Sequence, residues 1–310
     1  MINDNFEKKL ISMTSIIIGN YTVDNITYSL NASGFFYTEQ TPTEPEKEGP
    51  QWVQIDKYWL ITNRHVVLPK KERNGKLEEI LLDNLVFGFR KNSSEQSIEW
   101  HSISLTKDEL QKNLKLHSDN TVDVVAIDIS HKIQEIISSI RENKLENNIG
   151  IPTMISNRDL PGKKPIPIEV TSDIIVASYP KGFYDATNKF PIIKSGIIAS
   201  AWGLNFNGKP MFQIDAQLFP GSSGGLVISK PTNWGIKDGQ MLYSNSKEFV
   251  LLGVYSGEPV FKDKLIINGE HFIINGKPAE IEKSYGLGNV WYSYLIPEII
   301  YNGTQIINNP

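Results

Sequence analysis

The segment Gly221-Ser222-Ser223-Gly224-Gly225 sets a serine among glycines. A serine hydroxyl attacks a carbonyl only when a base lies within hydrogen-bond reach. Acyl transfer also needs backbone N–H donors aimed at the oxyanion that forms. Glycines on both sides let a tight loop turn its N–H groups inward without Cβ clashes. By itself such a cluster is more often a plain turn, so its chemistry depends on what else the chain supplies.

A base and its orienting acid both lie upstream. Of the five histidines, His65 follows the apolar run Tyr58-Trp59-Leu60-Ile61-Thr62 and precedes Val66-Val67. His101, His117, His131 and His271 sit in polar surroundings, as loop or exposed residues would. Alone, His65 would be a strand-end histidine satisfied by the backbone. Asp123, in Val122-Asp123-Val124-Val125-Ala126-Ile127, is a carboxylate at the start of an apolar strand. A buried carboxylate needs a partner, and a histidine N–H is suitable; the plainer reading is a strand-capping aspartate. Asp119 and Asp128 are nearby rivals and look more exposed. The chain order His65, Asp123, Ser223 is that of the chymotrypsin template. Subtilisin and the α/β-hydrolases use other orders.

These segments resemble those of bacterial trypsin-like serine peptidases with the chymotrypsin fold, among them the high-temperature-requirement proteases. Trp59–Val67 is similar to the family's histidine motif, Asp123–Ile127 to its aspartate motif and Asp215–Gly225 to its serine motif. Ser33-Gly34-Phe35 resembles the strand pair before the histidine. Ser178–Gly182 and Lys194–Ile198 resemble early strands of the second barrel. The likeness runs from about Ser33 to Gly257. It implies a serine endopeptidase that hydrolyses a polypeptide substrate without cofactor or metal. Ser223 would attack, His65 would move the proton and Asp123 would hold the imidazole. The N–H groups of Gly221 and Ser223 would form the oxyanion hole.

The same resemblance puts Gln217, six residues before the serine, at the base of the S1 pocket. Glutamine is neutral, so no strong preference for Arg or Lys is expected there. Tyr255-Ser256-Gly257 resembles the strand that pairs with extended substrate; an ordinary core strand is an equal alternative. Two departures stand out. Ser222 occupies a position where many relatives carry Asp or Asn, and the tail leaves no length for a PDZ domain.

Positioning such groups takes two β halves. The expected fold is all-β, a double antiparallel β-barrel with an inter-barrel linker helix and a short C-terminal helix. Residues 1–135 would carry His65 and Asp123, 136–172 would link, and 173–310 would carry Ser223. Tyr21–Tyr28, Tyr58–Thr62, Leu85–Phe89, Ile98–Leu105 and Val122–Ile129 are strand candidates in the first half. A polar loop is expected over about Thr38–Gln51. Lys132–Leu145 spaces Ile133, Ile136, Ile137 and Ile140 helically, and Asn157–Lys164 resembles a loop. Strands resume at Ile174–Ala177, Ile192–Ser200, Pro210–Gln217, Leu226–Ile228 and Val250–Tyr255. Ile-Ile-Asn-Gly occurs twice in Leu265–Pro278, which predicts a hairpin or small meander. Trp291–Ile300 predicts a terminal helix with Pro297 in its first turn.

Composition narrows the function classes. The 310 residues are 40% hydrophobic and 21% charged, with net charge −4. Charge of both signs is scattered, which offers nothing to nucleic acid. No apolar run approaches the roughly 18 residues of a membrane span. The first residues show no signal peptide, and cysteine is absent, so a reducing, cytoplasmic setting is expected. Without cysteine there is no thiol nucleophile.

Three rival readings remain. An α/β-hydrolase esterase fits the glycine–serine motif, but Leu226-Val227-Ile228 predicts a strand where a helix is needed, and only His271 lies downstream of the serine. A catalytically silent module of this fold would bind peptides. A latent enzyme would wait for an activating protein partner.

Overall fold

Asp24 and Asn25 have φ of 50° and 63°. Two consecutive left-handed residues match the right-handed twist of strands, as in a type I′ turn. Thr14–Val23 therefore folds straight back on Ile26–Pro42, with Val23 opposite Ile26. Tyr21–Tyr28, which alternates like one strand, is two strand ends around this turn. The computed structural model describes residues 6–43, 53–73, 75–91, 99–142, 152–180, 183–185, 187–268, 270–274 and 277–306.

The first half is one antiparallel run of strands. Its order is Glu99–Thr106, Asn84–Lys91, Thr14–Val23, Ile26–Pro42, Val53–Thr62, Val125–Asp128 and Leu114–Leu116. Ile155–Ser156 adds to Ile26–Pro42 in parallel. Ile26–Pro42 continues past Thr38, where a loop is expected; residues 44–51 of that loop lie outside the described ones. The inner faces bury Ile17, Phe36, Leu60, Phe87, Phe89, Leu105 and Ile127 in one cluster. Ser130–Arg141 is helical. Its Ile133 and Ile136 are buried in that cluster, with Ile137 and Ile140 against it. The predicted stretch 143–145 lies outside the described residues.

The second half is a closed barrel. Its order is Asp173–Ser178, Ile192–Ile198, Met211–Asp215, Leu287–Tyr292, Leu251–Gly257 and Leu226–Ser229. Closure pairs every strand on both sides, which removes unpaired edges. Trp291 belongs to the strand Leu287–Tyr292. The C-terminal helix starts only at Leu295, not at Trp291, because residues 291 and 292 extend the ladder opposite Met211 and Gly253. Pro297 is its third residue, where no intrahelical N–H is needed.

The two halves share a core. Phe35, Tyr37, Trp59 and Ile61 of the first pack with Leu226, Ile228, Leu251 and Trp291 of the second. The C-terminal helix buries Leu295, Ile296, Ile299 and Ile300 in the same cluster. Thr304 then exchanges two backbone hydrogen bonds of 2.9 Å with Leu116. The end of the second half thus clasps the first. Between Gly257 and Leu287 the chain leaves the barrel as a ribbon with two further short hairpins. This is the expected meander, and Asn268 has the positive φ of 52° its turn requires. No helix among the described residues is long and apolar enough to cross a membrane.

Candidate active site

His65 lies in a single helical turn, Arg64–Val67, that follows the strand ending at Thr62. Val66 and Val67 are buried and anchor the turn, which leaves the His65 side chain 44% exposed. Asp123 stands just before the strand that starts at Val125, between the buried Val122 and Val124. Those two valines leave the carboxylate little choice of direction. Its Oδ1 accepts the His65 backbone N–H at 2.9 Å, and its Oδ2 lies 2.7 Å from Nδ1. A carboxylate only accepts, so Nδ1 carries the proton and Nε2 is left as the basic nitrogen. The Asn63 amide donates to the Asp123 carbonyl at 2.6 Å and ties the two segments together.

The rivals are engaged elsewhere. Asp128 pairs with Lys57 and Ser130, and Asp119 accepts from the Thr121 N–H. His117 faces Glu298 and His131 faces Glu109. His101 lies within the strand Glu99–Thr106, not in a loop.

The serine loop is a pair of tight turns. Ser222 N–H donates to the Phe219 carbonyl at 3.0 Å, and Gly225 N–H to the Ser222 carbonyl at 2.8 Å. Gly221 and Gly224 have φ of 94° and 81°, which only glycine adopts freely. Ser222 is fully buried, and its hydroxyl accepts from Ser178 at 3.1 Å. The position that carries Asp or Asn in many relatives is here a neutral hydroxyl pair. The turns leave the N–H groups of Gly221 and Ser223 without an acceptor among the described residues. Ser223 Oγ donates to the Ser256 carbonyl at 3.2 Å. No hydrogen bond joins it to the His65 ring.

Ser33 joins the halves at this loop. Its N–H donates to the Ser223 carbonyl at 2.8 Å and its hydroxyl to the Gly221 carbonyl at 2.9 Å. That hydroxyl accepts from the Tyr179 N–H at 2.8 Å, and the Ser33 carbonyl accepts from Thr62 at 2.8 Å. The sequence flags Ser33 only as part of a strand motif. Its hydroxyl network depends on residues about 150 to 190 positions away, so no local signal reveals it.

Gln217 is exposed between the buried Ala216 and Leu218, two residues past the strand Met211–Asp215. Tyr255 is buried in a cluster of the second half with Ile214, Leu252 and Val290. Burial, and then the nearby Glu258, push its hydroxyl pKa up. Its backbone holds Gly224 and Gly225 through bonds of 2.9 and 3.0 Å. Ser256 and Gly257 are half-buried, and they continue this strand past the serine loop.

An open pocket of about 600 Å³ adjoins His65 and Asp123. Arg64, Lys70, Glu79 and Lys209 also line it, and sequence reasoning singled out none of these four. Arg64 forks onto Glu79 through bonds of 2.9 and 2.8 Å. Among the described residues no three His, Asp or Glu side chains gather closely enough to hold a metal ion.

A family model for the trypsin-like peptidase domain matches residues 32–233. The chain belongs to the trypsin-like peptidase family. The match takes in Ser33, His65, Asp123 and Ser223. No curated protein matches the sequence. Among solved structures the fold is similar to the protease Anisep from Arthrobacter nicotinovorans. The identity is 11%, the TM-score 0.43, and the likeness covers 96% of this chain and 97% of that one.

Proposed function

We propose that this trypsin-like peptidase is a serine endopeptidase whose nucleophile is Ser223. The observation that carries the reading is the two-point grip of Asp123 on His65. It fixes the tautomer that presents a basic Nε2, and the serine loop, which Ser33 ties to the same half, keeps two N–H donors free. Ser223 Oγ would attack the scissile carbonyl as its proton passes to His65 Nε2. The N–H groups of Gly221 and Ser223 would hold the oxyanion. Collapse of that intermediate would break the C–N bond, the imidazolium would protonate the leaving amine, and water would hydrolyse the acyl-enzyme by the same route.

One feature favours a second reading, a resting state that a partner or substrate must convert. The Ser223 hydroxyl donates to Ser256 and makes no bond to His65. Catalytic bonds often tighten only on substrate binding, so both readings share the same residues. Labelling with a fluorophosphonate probe separates them. Rapid labelling of the isolated protein, abolished in Ser223→Ala, is the expected result. Labelling only with a partner added would favour the latent form. No labelling under any condition would defeat the peptidase reading.

A further inference from the structure

The pocket beside His65 contains two cations that no carboxylate answers. Five charged side chains line it: Arg64, Lys70, Lys209, Glu79 and Asp123. Glu79 commits both oxygens to Arg64, and Asp123 commits both to His65. Lys70 stands directly across the ribbon from Glu79, yet that carboxylate is already taken. Neither Lys70 nor Lys209 has a carboxylate within ion-pair distance among the described residues. What remains is a surplus of positive charge in a concave site next to the imidazole.

The two lysines come from opposite halves. Lys70 opens the short ribbon that leaves the His65 turn, Lys70–Arg73 with Lys76–Glu79. Lys209 closes a tight hairpin of the second half. There Asn207 and Gly208 take φ of 51° and 76°, and Phe206 bridges to Lys209. That turn fixes the backbone from which Lys209 reaches the pocket. The cleft between the halves is therefore flanked by a cation on each wall.

We propose that this pocket is a specificity subsite for an acidic side chain of the polypeptide substrate, carried by Lys70 and Lys209. The inference rests on the reading that a polypeptide lies in this cleft. It deepens that reading by naming the substrate class. A Glu or Asp close to the scissile bond would enter beside His65 and supply the missing negative charge. A Gln of the same shape would not. Attraction between partly exposed charges is modest and falls with salt, so the subsite tunes selectivity without being required for turnover.

The test uses fluorescein-labelled decapeptides in which one Glu is moved through successive positions, each paired with its Gln counterpart. Binding to the full chain carrying Ser223→Ala is read by anisotropy. One position should favour Glu by about fivefold, an effect of the size expected for an accessible ion pair, and the preference should shrink in high salt. Adding Lys70→Gln and Lys209→Gln should bring the Glu-to-Gln ratio close to one. Lys209→Glu should favour Lys at that same position. No position favouring Glu, or a preference that survives loss of both lysines, would overturn the inference, as would failure of every peptide to bind. Fluorophosphonate labelling of the unmodified protein reports separately. Labelling without a Glu preference removes the subsite and leaves the peptidase, whereas a Glu preference without labelling keeps the subsite and removes hydrolysis.

Discussion

The backbone N–H of Ser33 donates to the carbonyl of Ser223 across the cleft, at 2.8 Å. The first half therefore holds the peptide of the proposed nucleophile, and the Ser33 hydroxyl holds Gly221 two residues earlier. The serine loop is shaped by a residue of the other half as well as by its own glycines. Ser33 and Tyr179 are both fully enclosed. Removing the Ser33 hydroxyl leaves the Tyr179 N–H without its acceptor, a loss of about 1–3 kcal/mol. Ser33→Ala should lower the urea midpoint accordingly and slow fluorophosphonate labelling. Unchanged labelling would mean that the loop keeps its shape without this hydroxyl.

Asp123 makes a different kind of contribution, because it grips both the backbone and the ring of residue 65. Asp123→Asn preserves the shape but lets the amide donate to Nδ1, which places the ring proton on Nε2. Turnover should fall on the order of 10⁴-fold, the size expected when the base carries its proton on the wrong nitrogen. The fold should survive, since the side chain is partly open to solvent. The measurement is kcat on a fluorogenic peptide together with a melting curve. A loss under tenfold with an intact fold would show that the tautomer is set elsewhere.

Gly224 tests the packing of the same loop. Its φ is 81°, and a Cβ built there would overlap the Ser33 carbonyl oxygen and the Thr62 hydroxyl. The left-handed backbone costs a residue with a Cβ about 1–2 kcal/mol, and overpacking adds about 1–3. Gly224→Ala should therefore destabilise the protein by several-fold more than Ala substitution at an exposed position. It should also separate Ser33 from Ser223 and abolish labelling. Calorimetry and probe labelling of the same sample check both expectations.

Parts of the candidate site are legible in the sequence. His65, Asp123 and Ser223 stand out because each lies in a short apolar or glycine-rich frame that local pattern reveals. The strands around them are equally legible, since Tyr58–Thr62 and Leu226–Ile228 are apolar runs bounded by polar residues. Tyr21–Tyr28 misleads because its alternation continues through Asp24-Asn25, whose left-handed backbone leaves no mark on hydropathy. Trp291 misleads because its helical spacing with Leu295 competes with a barrel that needs one more strand to close. Ser33, Lys70 and Lys209 acquire their partners or surroundings only when distant segments meet, so pattern alone cannot select them.

Acid sensitivity follows from Glu109, which closes a capping box with Thr106 and pairs with Lys132 at 2.6 Å. Burial alone would raise its carboxyl pKa. Lys132 and the N–H and hydroxyl of Thr106 outweigh that and hold it at about 2, down from 4.5. A carboxylate with a depressed folded pKa stabilises fully above its unfolded value and loses that contribution as pH falls through the folded one. Glu109→Gln should thus be less stable than the parent at neutral pH. The difference should shrink between about pH 4.5 and 2. Urea midpoints measured across that range check the sign; a gap that widens on acidification would refute it.

Arg90 poses the opposite problem, a half-buried cation with no anion among the described residues. Its Nε and Nη2 have no hydrogen-bond partner, and burial lowers its pKa to about 10, with Tyr179 opposing the shift. What it does have is the face of Phe190 at 4.6 Å and that of Trp100 at 5.8 Å. Such contacts return about 0.5–2 kcal/mol, while desolvating an unpaired charge takes several. An apolar chain of similar length keeps the aromatic packing and removes the charge. Arg90→Met should therefore leave the melting temperature unchanged or raise it. Arg90→Ala should lower it, because the stem that fills the space between Trp100 and Phe190 is gone. If Arg90→Met were the more damaging of the two, the guanidinium itself, and not its packing, would be what this site requires.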